Sequence, residues 1–264
     1  MHNRIGQSST LPRQNDELDN SFNSDGFDKQ LSDLARYRNL PPGDLPEGMG
    51  CCASNLANDT SSPARMSTSV FQYRTAELRD ANVQNICVGL VAGWLPNLAQ
   101  SPRSRMTALS RGSNGHHSAA SSQQRYEDNF RSLREDGVEG AEANFRARAT
   151  LLRQAGFFPA NDGITYAFGD TEQFLELKDK IVSDGRTYLL SLAFERDGRQ
   201  EHHLVATSAS DEIVTLFDPN YGEFTIEPAD VGEFFRSLAN RYRSPPNRME
   251  LLCITTQRVR LTRD

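Results

Sequence analysis

The chain has 264 residues, enough for one or two domains, with 37% hydrophobic and 24% charged residues. Lys+Arg 29 against Asp+Glu 35 leaves a net charge of −6, and the mean hydropathy is −0.62. No overall positive field argues for nucleic acid or an anionic membrane, no apolar run approaches the roughly 18 residues of a spanning helix, and no basic stretch followed by an apolar core opens the chain, so the expectation is an intracellular protein or one exported without a conventional signal.

Residues 1–65 contain no Val, no Trp, one Ile (Ile5), two Phe (Phe22 and Phe27) and five prolines. Such a segment cannot bury enough surface to offset its ordering entropy. It predicts disorder over 1–65, with one short helix near 28–38, followed by a globular domain over 66–264. Inside the polar segment, Met49-Gly50-Cys51-Cys52-Ala53-Ser54 matches M-G-x-x-x-S, the myristoylation pattern. Myristoylation needs an N-terminal glycine, so the motif has meaning only if the chain is cut between Met49 and Gly50. One myristoyl chain binds membranes with K only on the order of 10⁴ M⁻¹, which makes Cys51 or Cys52 the natural site of a second, palmitoyl anchor. Adjacent cysteines suit neither an ordinary disulfide nor a zinc knuckle, and nothing in the chain calls for a metal or an organic cofactor.

From Met66 the pattern becomes globular. Residues 87–99 read as a helix carrying Val88, Val91, Leu95 and Leu98, which Pro96 kinks or ends. The polar stretch 101–122, with His116 and His117, reads as a surface loop. Residues 123–135 and 141–154 read as amphipathic helices. Strands are expected over 163–168, 186–194, 202–208, 213–217 and 224–226, with turns at 196–198 and 219–222. A helix over 229–242 and a strand over 250–259 close the chain. Helices first and meandering strands after favour α+β with an antiparallel sheet.

Cys87 stands at the start of its helix, where unpaired N–H groups and the helix dipole lower a thiol pKa. Gly89 leaves space beside the sulfur for a substrate backbone. Of five histidines, His2 lies in the polar tail, His116 and His117 in the expected loop, and His202 and His203 at the start of a strand. Strand alternation puts only one of the last two on the inner face and does not decide which. Asp218 ends the next strand, where a carboxylate can hold an imidazole tautomer. Helix-start Cys, strand His, then Asp is the chain order of papain-like enzymes. An oxyanion donor is expected shortly before the cysteine, where Asn82, Gln84 and Asn85 lie. Trp94 and Cys253 read as core residues, and Arg241-Tyr242-Arg243 as charge complementing a helix end.

Three stretches together resemble the YopT/AvrPphB cysteine proteases, peptidase family C58, over about residues 70–260. They are Asn82…Asn85-Ile86-Cys87-x-Gly89-Leu90…Trp94-Leu95, Leu189–Leu192 leading to His203-Leu204-Val205-Ala206, and Asp218-Pro219-Asn220-x-Gly222-Glu223-Phe224. The resemblance implies a papain-like fold, a central antiparallel sheet packed by helices. It implies Cys87 as nucleophile, His203 as general base, Asp218 as its orienting carboxylate and Asn82 as the oxyanion-hole amide. It further implies type III secretion and action inside a host cell on a kinase or small GTPase. Self-cleavage between Met49 and Gly50, acylation by host acyltransferases and attachment to the host membrane would follow. One departure stands out: processed relatives carry an Asp-Lys pair before the cleaved bond, and this chain has Glu47-Gly48-Met49. The same triad also supports deamidation or acyl transfer through a thioester, and the non-enzymatic alternative is an inactive, lipid-anchored interaction protein.

Overall fold

A computed structural model describes residues 69–160, 163–183, 185–210 and 212–261. The disorder expected over 1–65, the helix near 28–38, and Met49, Gly50, Cys51 and Cys52 lie outside the described residues. After a 3-10 turn at Val70–Tyr73, the chain runs β1 (Arg74–Glu77), α1 (Cys87–Trp94), α2 (Pro102–Leu109), α3 (Asn114–Glu135), α4 (Gly140–Gln154), β2 (Phe157–Pro159) and β3 (Ile164–Ala167). It continues through α5 (Thr171–Ile181), β4 (Thr187–Arg196), β5 (Arg199–Ser210), β6 (Ile213–Asp218), β7 (Gly222–Ile226), α6 (Val231–Arg243) and β8 (Glu250–Leu261). The strands form one sheet in the order β1-β7-β6-β5-β4-β8-β2, with β3 also paired to β8. Every pairing is antiparallel, as the element order predicts.

β4 reads as an apolar run from Tyr188 to Phe194, broken at Ser191, because helices cover both faces of the sheet. Tyr188, Leu190, Leu192 and Phe194 pack with Phe234, Phe235 and Leu238 of α6 on one face. Leu189 packs on the other face with Trp94, Leu109 and Leu152. A strand buried on both sides loses the apolar–polar alternation of a half-exposed one. α1 lies in the second layer and is apolar all round, with Val88, Leu90, Val91, Ala92 and Trp94 buried, as befits a helix with no solvent face. It gives way to a 3-10 turn at Leu95–Asn97, where Pro96 cannot donate to an α-helical ladder.

The structure corrects the loop expected over 101–122, which forms α2 and the first turns of α3. Its serines are caps: Ser101 Oγ accepts from the Ser104 N–H at 3.3 Å, and Ser113 Oγ from the His116 N–H at 3.1 Å. Pro102 follows the first cap at the helix position that tolerates it best. α5 was also not expected; Asp170 caps it by accepting from the Glu172 and Gln173 N–H groups, both at 3.0 Å. β1 and β2, of four and three residues, are too short to show periodicity. β1 can lie against β7 because residue 222 is glycine. Its φ is +113°, and a Cβ there would sit 2.2 Å from the Ala76 carbonyl oxygen. The turn expected at 196–198 is present as Asp197-Gly198, both with positive φ, the form that suits a two-residue hairpin.

Candidate active site

Asn85 takes a left-handed φ of 57°, which asparagine tolerates better than most residues. Two residues later Cys87 opens α1 without a side-chain cap. The approach to the helix is held from α3, where His116 Nε2 lies 3.0 Å from the Ala81 carbonyl oxygen. His116 is thus a structural clamp on a helix, not a solvated loop residue. Gln123 of α3 accepts the Gly89 N–H at 3.2 Å, satisfying one of the orphan donors of the first turn. The Val88 N–H lowers the Cys87 thiol pKa as a backbone donor.

Gly89 does not make room for substrate. A Cβ there would lie 2.0 Å from the Ala119 carbonyl oxygen of α3, so its role is the close crossing of α1 and α3. Gly89→Ala is accordingly expected to destabilise the fold by about 3 kcal/mol, the upper end for overpacking. A urea melt checks this; an unchanged midpoint would remove the packing explanation.

β5 resolves the choice between the adjacent histidines: His203 is buried and His202 exposed. The β5–β6 ladder begins at Ala206↔Phe217, so His203 and Asp218 both lie beyond it, at the end facing α1. His203 Nε2 is 2.9 Å from Asp218 Oδ1. Cys87 and the same ring act on each other electrostatically and as hydrogen-bond partners, and with Nε2 turned to Asp218 the nitrogen left for sulfur is Nδ1. Asp218 is fully buried. Its Oδ1 also accepts the Asn220 N–H at 2.8 Å, and its Oδ2 accepts the Tyr242 O–H at 2.9 Å.

Burial pushes the Cys87 thiol up. The hydrogen bond and positive charge of His203, with N–H groups of Leu204 and Val88, outweigh that and hold it below its ordinary range. Burial pushes His203 down, but the charge and hydrogen bond of Asp218, then those of Cys87, raise it to about 10. Opposite displacements of an acid and a base in contact favour a thiolate–imidazolium pair at neutral pH. Burial and the Asp218 charge push Tyr242 well above the usual tyrosine value, so its hydroxyl stays a donor to Asp218.

Asn82 joins this cluster through a residue that sequence reasoning gave no role. Its Nδ2 donates to Asn220 Oδ1 at 2.7 Å, and Asn220 Nδ2 donates to Tyr242 Oη at 2.9 Å. An amide NH₂ has two hydrogens, so Asn82 keeps one beyond its bond to Asn220. Gln84 and Asn85 are exposed. Tyr242 was expected only as part of a charged helix end; its signal was a tyrosine on a buried helix face, where the hydroxyl needs a partner. Trp94 is a core residue, as expected, stacked on Phe217 at 5.4 Å. Its indole N–H donates to Glu223 at 2.9 Å, and Glu223 also takes the Arg105 Nε–H at 2.7 Å. Cys253 is a buried free thiol, also as expected.

The chain matches the family model of the Yersinia/Haemophilus virulence surface antigens, Peptidase C58, over residues 65–258. It is 45% identical to a protein of Bradyrhizobium diazoefficiens named as a YopT-like cysteine protease, over 98% of this chain and 100% of that one. It is 46% identical to a protein of Sinorhizobium fredii of the same description, again over 98% and 100%. Among solved structures it resembles the Pseudomonas avirulence protein AvrPphB, with a TM-score of 0.65 and 26% identity over 73% of this chain and 100% of that one.

Proposed function

The chain belongs to peptidase family C58 and is a cysteine protease, and from that premise we propose that Cys87 is its nucleophile, His203 its general base, Asp218 the carboxylate that orients the base, and Asn82 with the Cys87 N–H its oxyanion hole. One observation supports this reading most: the helix-start thiol meets a buried imidazole whose other nitrogen is 2.9 Å from a buried carboxylate. His203 takes the Cys87 proton through Nδ1, and the thiolate attacks the scissile carbonyl. The free hydrogen of Asn82 Nδ2 and the Cys87 N–H take up the charge that develops on oxygen. His203 then protonates the leaving amine, and water hydrolyses the thioester.

The reading extends to an effector. Likeness to an avirulence protein, in a family described by virulence antigens, supports delivery into a host cell through a type III apparatus. The substrate would be a host protein of the kinase or small-GTPase class. Self-cleavage between Met49 and Gly50 would expose Gly50 for myristoylation and Cys51 or Cys52 for palmitoylation by host acyltransferases, anchoring the domain to the host membrane. Gly48 lacks the long basic side chain that processed relatives present, which predicts slow self-cleavage.

Intact-mass measurement of the purified full chain beside its Cys87→Ala variant tests this. Loss of residues 1–49 from the wild type alone is the expected result. If both stay whole, the double substitution Glu47→Asp/Gly48→Lys is expected to restore cleavage; a chain that remains uncut even then overturns the self-processing proposal.

A further inference from the structure

Two buried arginines in this protein are treated differently. Arg105 and Glu223 form an ion pair with 6% and 0% of their side chains exposed, and Arg105 Nη1 also donates to the Leu98 carbonyl at 2.8 Å. Arg148, on α4, is 7% exposed. It donates through Nη1 to Ser191 Oγ of β4 at 2.8 Å, and its Nε is buried without a partner. Among the described residues no carboxylate lies within ion-pair distance of it. A buried cation without a counter-anion is costly, so either the fold tolerates a loss here or the anion arises during function.

The groups facing Arg148 narrow the choice. From α3 comes Tyr126, whose hydroxyl donates to Asn144 Oδ1 at 3.0 Å and which burial keeps protonated. Glu127, next to it, accepts from Gln123 Nε2 at 2.9 Å. From β4 comes neutral Ser191. From α1 comes Cys87, which packs with Tyr126 against the same core cluster as Leu151 and Leu152, the α4 neighbours of Arg148, and Leu204, and which lies within electrostatic reach of Arg148. Ser191 is also the cross-strand partner of Leu204, whose N–H points at the Cys87 sulfur. One pair of residues on β4 and β5 therefore fixes both the guanidinium and a donor to the nucleophile.

We propose that Arg148 is an electrostatic positioning residue, the buried counter-cation of the Cys87 thiolate, tethered through Ser191. The proposal rests on Cys87 being the nucleophile. His203 shares one proton with Cys87 and loses its charge once that proton leaves for the amine. Arg148 stays charged throughout, so the thiolate, each time it forms, has a fixed positive charge beside it in addition to the imidazolium.

The test is the pH dependence of Cys87 alkylation by iodoacetamide, followed by mass spectrometry of the Cys87 peptide so that Cys51, Cys52 and Cys253 do not contribute. Arg148→Met is expected to move the acid limb upward by about 1–2 pH units and to lower kcat/KM near pH 6 about tenfold. The preference for negatively charged iodoacetate over iodoacetamide falls with it, while Arg148→Lys keeps the acid limb near that of the wild type. The melting temperature of Arg148→Met is expected to be unchanged or raised, because an uncompensated cation has left the core. An unmoved acid limb overturns the proposal, and a lowered melting temperature beside it would mean that Arg148 serves packing alone. Should Arg148→Met fail to fold, Arg148→Gln and Ser191→Ala give the same reading: an upward shift supports the proposal, and none in either overturns it. Alkylation needs no peptide hydrolysis. A shifted limb in a chain that cleaves nothing would keep this inference and remove the protease reading.

Discussion

Alanine at Cys87 is expected to lower peptide cleavage by about 10⁴–10⁶-fold, and alanine at His203 by a comparable factor. Each removes half of one device. Without the thiol there is no atom to form the thioester. Without the imidazole the half-buried thiol loses the hydrogen bond and positive charge that hold its pKa down, and burial then returns it to the neutral form. The two losses should not add: a Cys87→Ala/His203→Ala double variant is expected to be no slower than either single one. Cys87→Ser tests the same point with a smaller change, since a hydroxyl is far harder to ionise than a thiol in this setting. The readout is fragment release, followed by mass spectrometry, from a peptide spanning residues 44–58 that carries Glu47→Asp and Gly48→Lys, so that the wild type cuts it fast enough for the loss to be measured. Cleavage by Cys87→Ala at anything near the wild-type rate would sink the assignment of the nucleophile. A gain of one mass unit at Asn55 or Asn58 without fragments would replace hydrolysis of a peptide bond by deamidation.

Much of this site is legible in the sequence because its chemistry sits at element boundaries. Cys87 starts a helix and Asp218 ends a strand, and both boundaries are marked by composition. The histidine was harder. His202 and His203 both lie well inside β5, so period-two alternation assigns them opposite faces without saying which face is inward; burial against Asp218 and Tyr242 decides it. What the sequence conceals are the partners that arrive from other elements. Asn220 reads as part of a turn, yet it bridges Asn82 to Tyr242. Tyr242 and Gln123 read as ordinary helix residues, because a side chain's hydrogen-bond partner depends on how α6 and α3 cross the sheet and α1. Arg148 looks like a solvated position on an amphipathic helix, and only burial against β4 separates it from the exposed Arg146. The stretch 101–122 conceals its two helices for a local reason. Ser101 and Ser113 are favourable at helix caps and in loops alike, and few apolar residues, among them Met106, Leu109 and Ala119, are there to tip the balance.

Asp218→Asn separates charge from shape at the same site. The amide fills the same volume and can still accept from the Asn220 N–H and the imidazole, so the fold is expected to survive. What disappears is the negative charge that offsets the burial of His203. Since burial alone pushes that imidazole down and Asp218 is the largest influence raising it to about 10, its pKa in the variant is expected to drop toward or below the ordinary 6.5. The thiolate–imidazolium pair exists between the pKa values of its two members, so the variant loses that window from the alkaline side. kcat/KM at neutral pH should fall about 10³–10⁴-fold, with the alkaline limb of its pH profile retreating from near pH 10 to the neutral range. Stability supplies an independent sign. A histidine whose folded pKa is raised contributes stability that is fully present below about pH 6.5 and is lost as pH rises toward the folded value. The depressed thiol acts in the opposite direction, losing its contribution as pH falls through its folded pKa, so the histidine contribution is best read in a Cys87→Ala background. There, urea midpoints are expected to decline above pH 6.5 when Asp218 is present, and to lose that slope when Asp218→Asn is added. A slope that persists without the carboxylate would mean that some other group holds the proton on His203, and the orienting role of Asp218 would have to be given up.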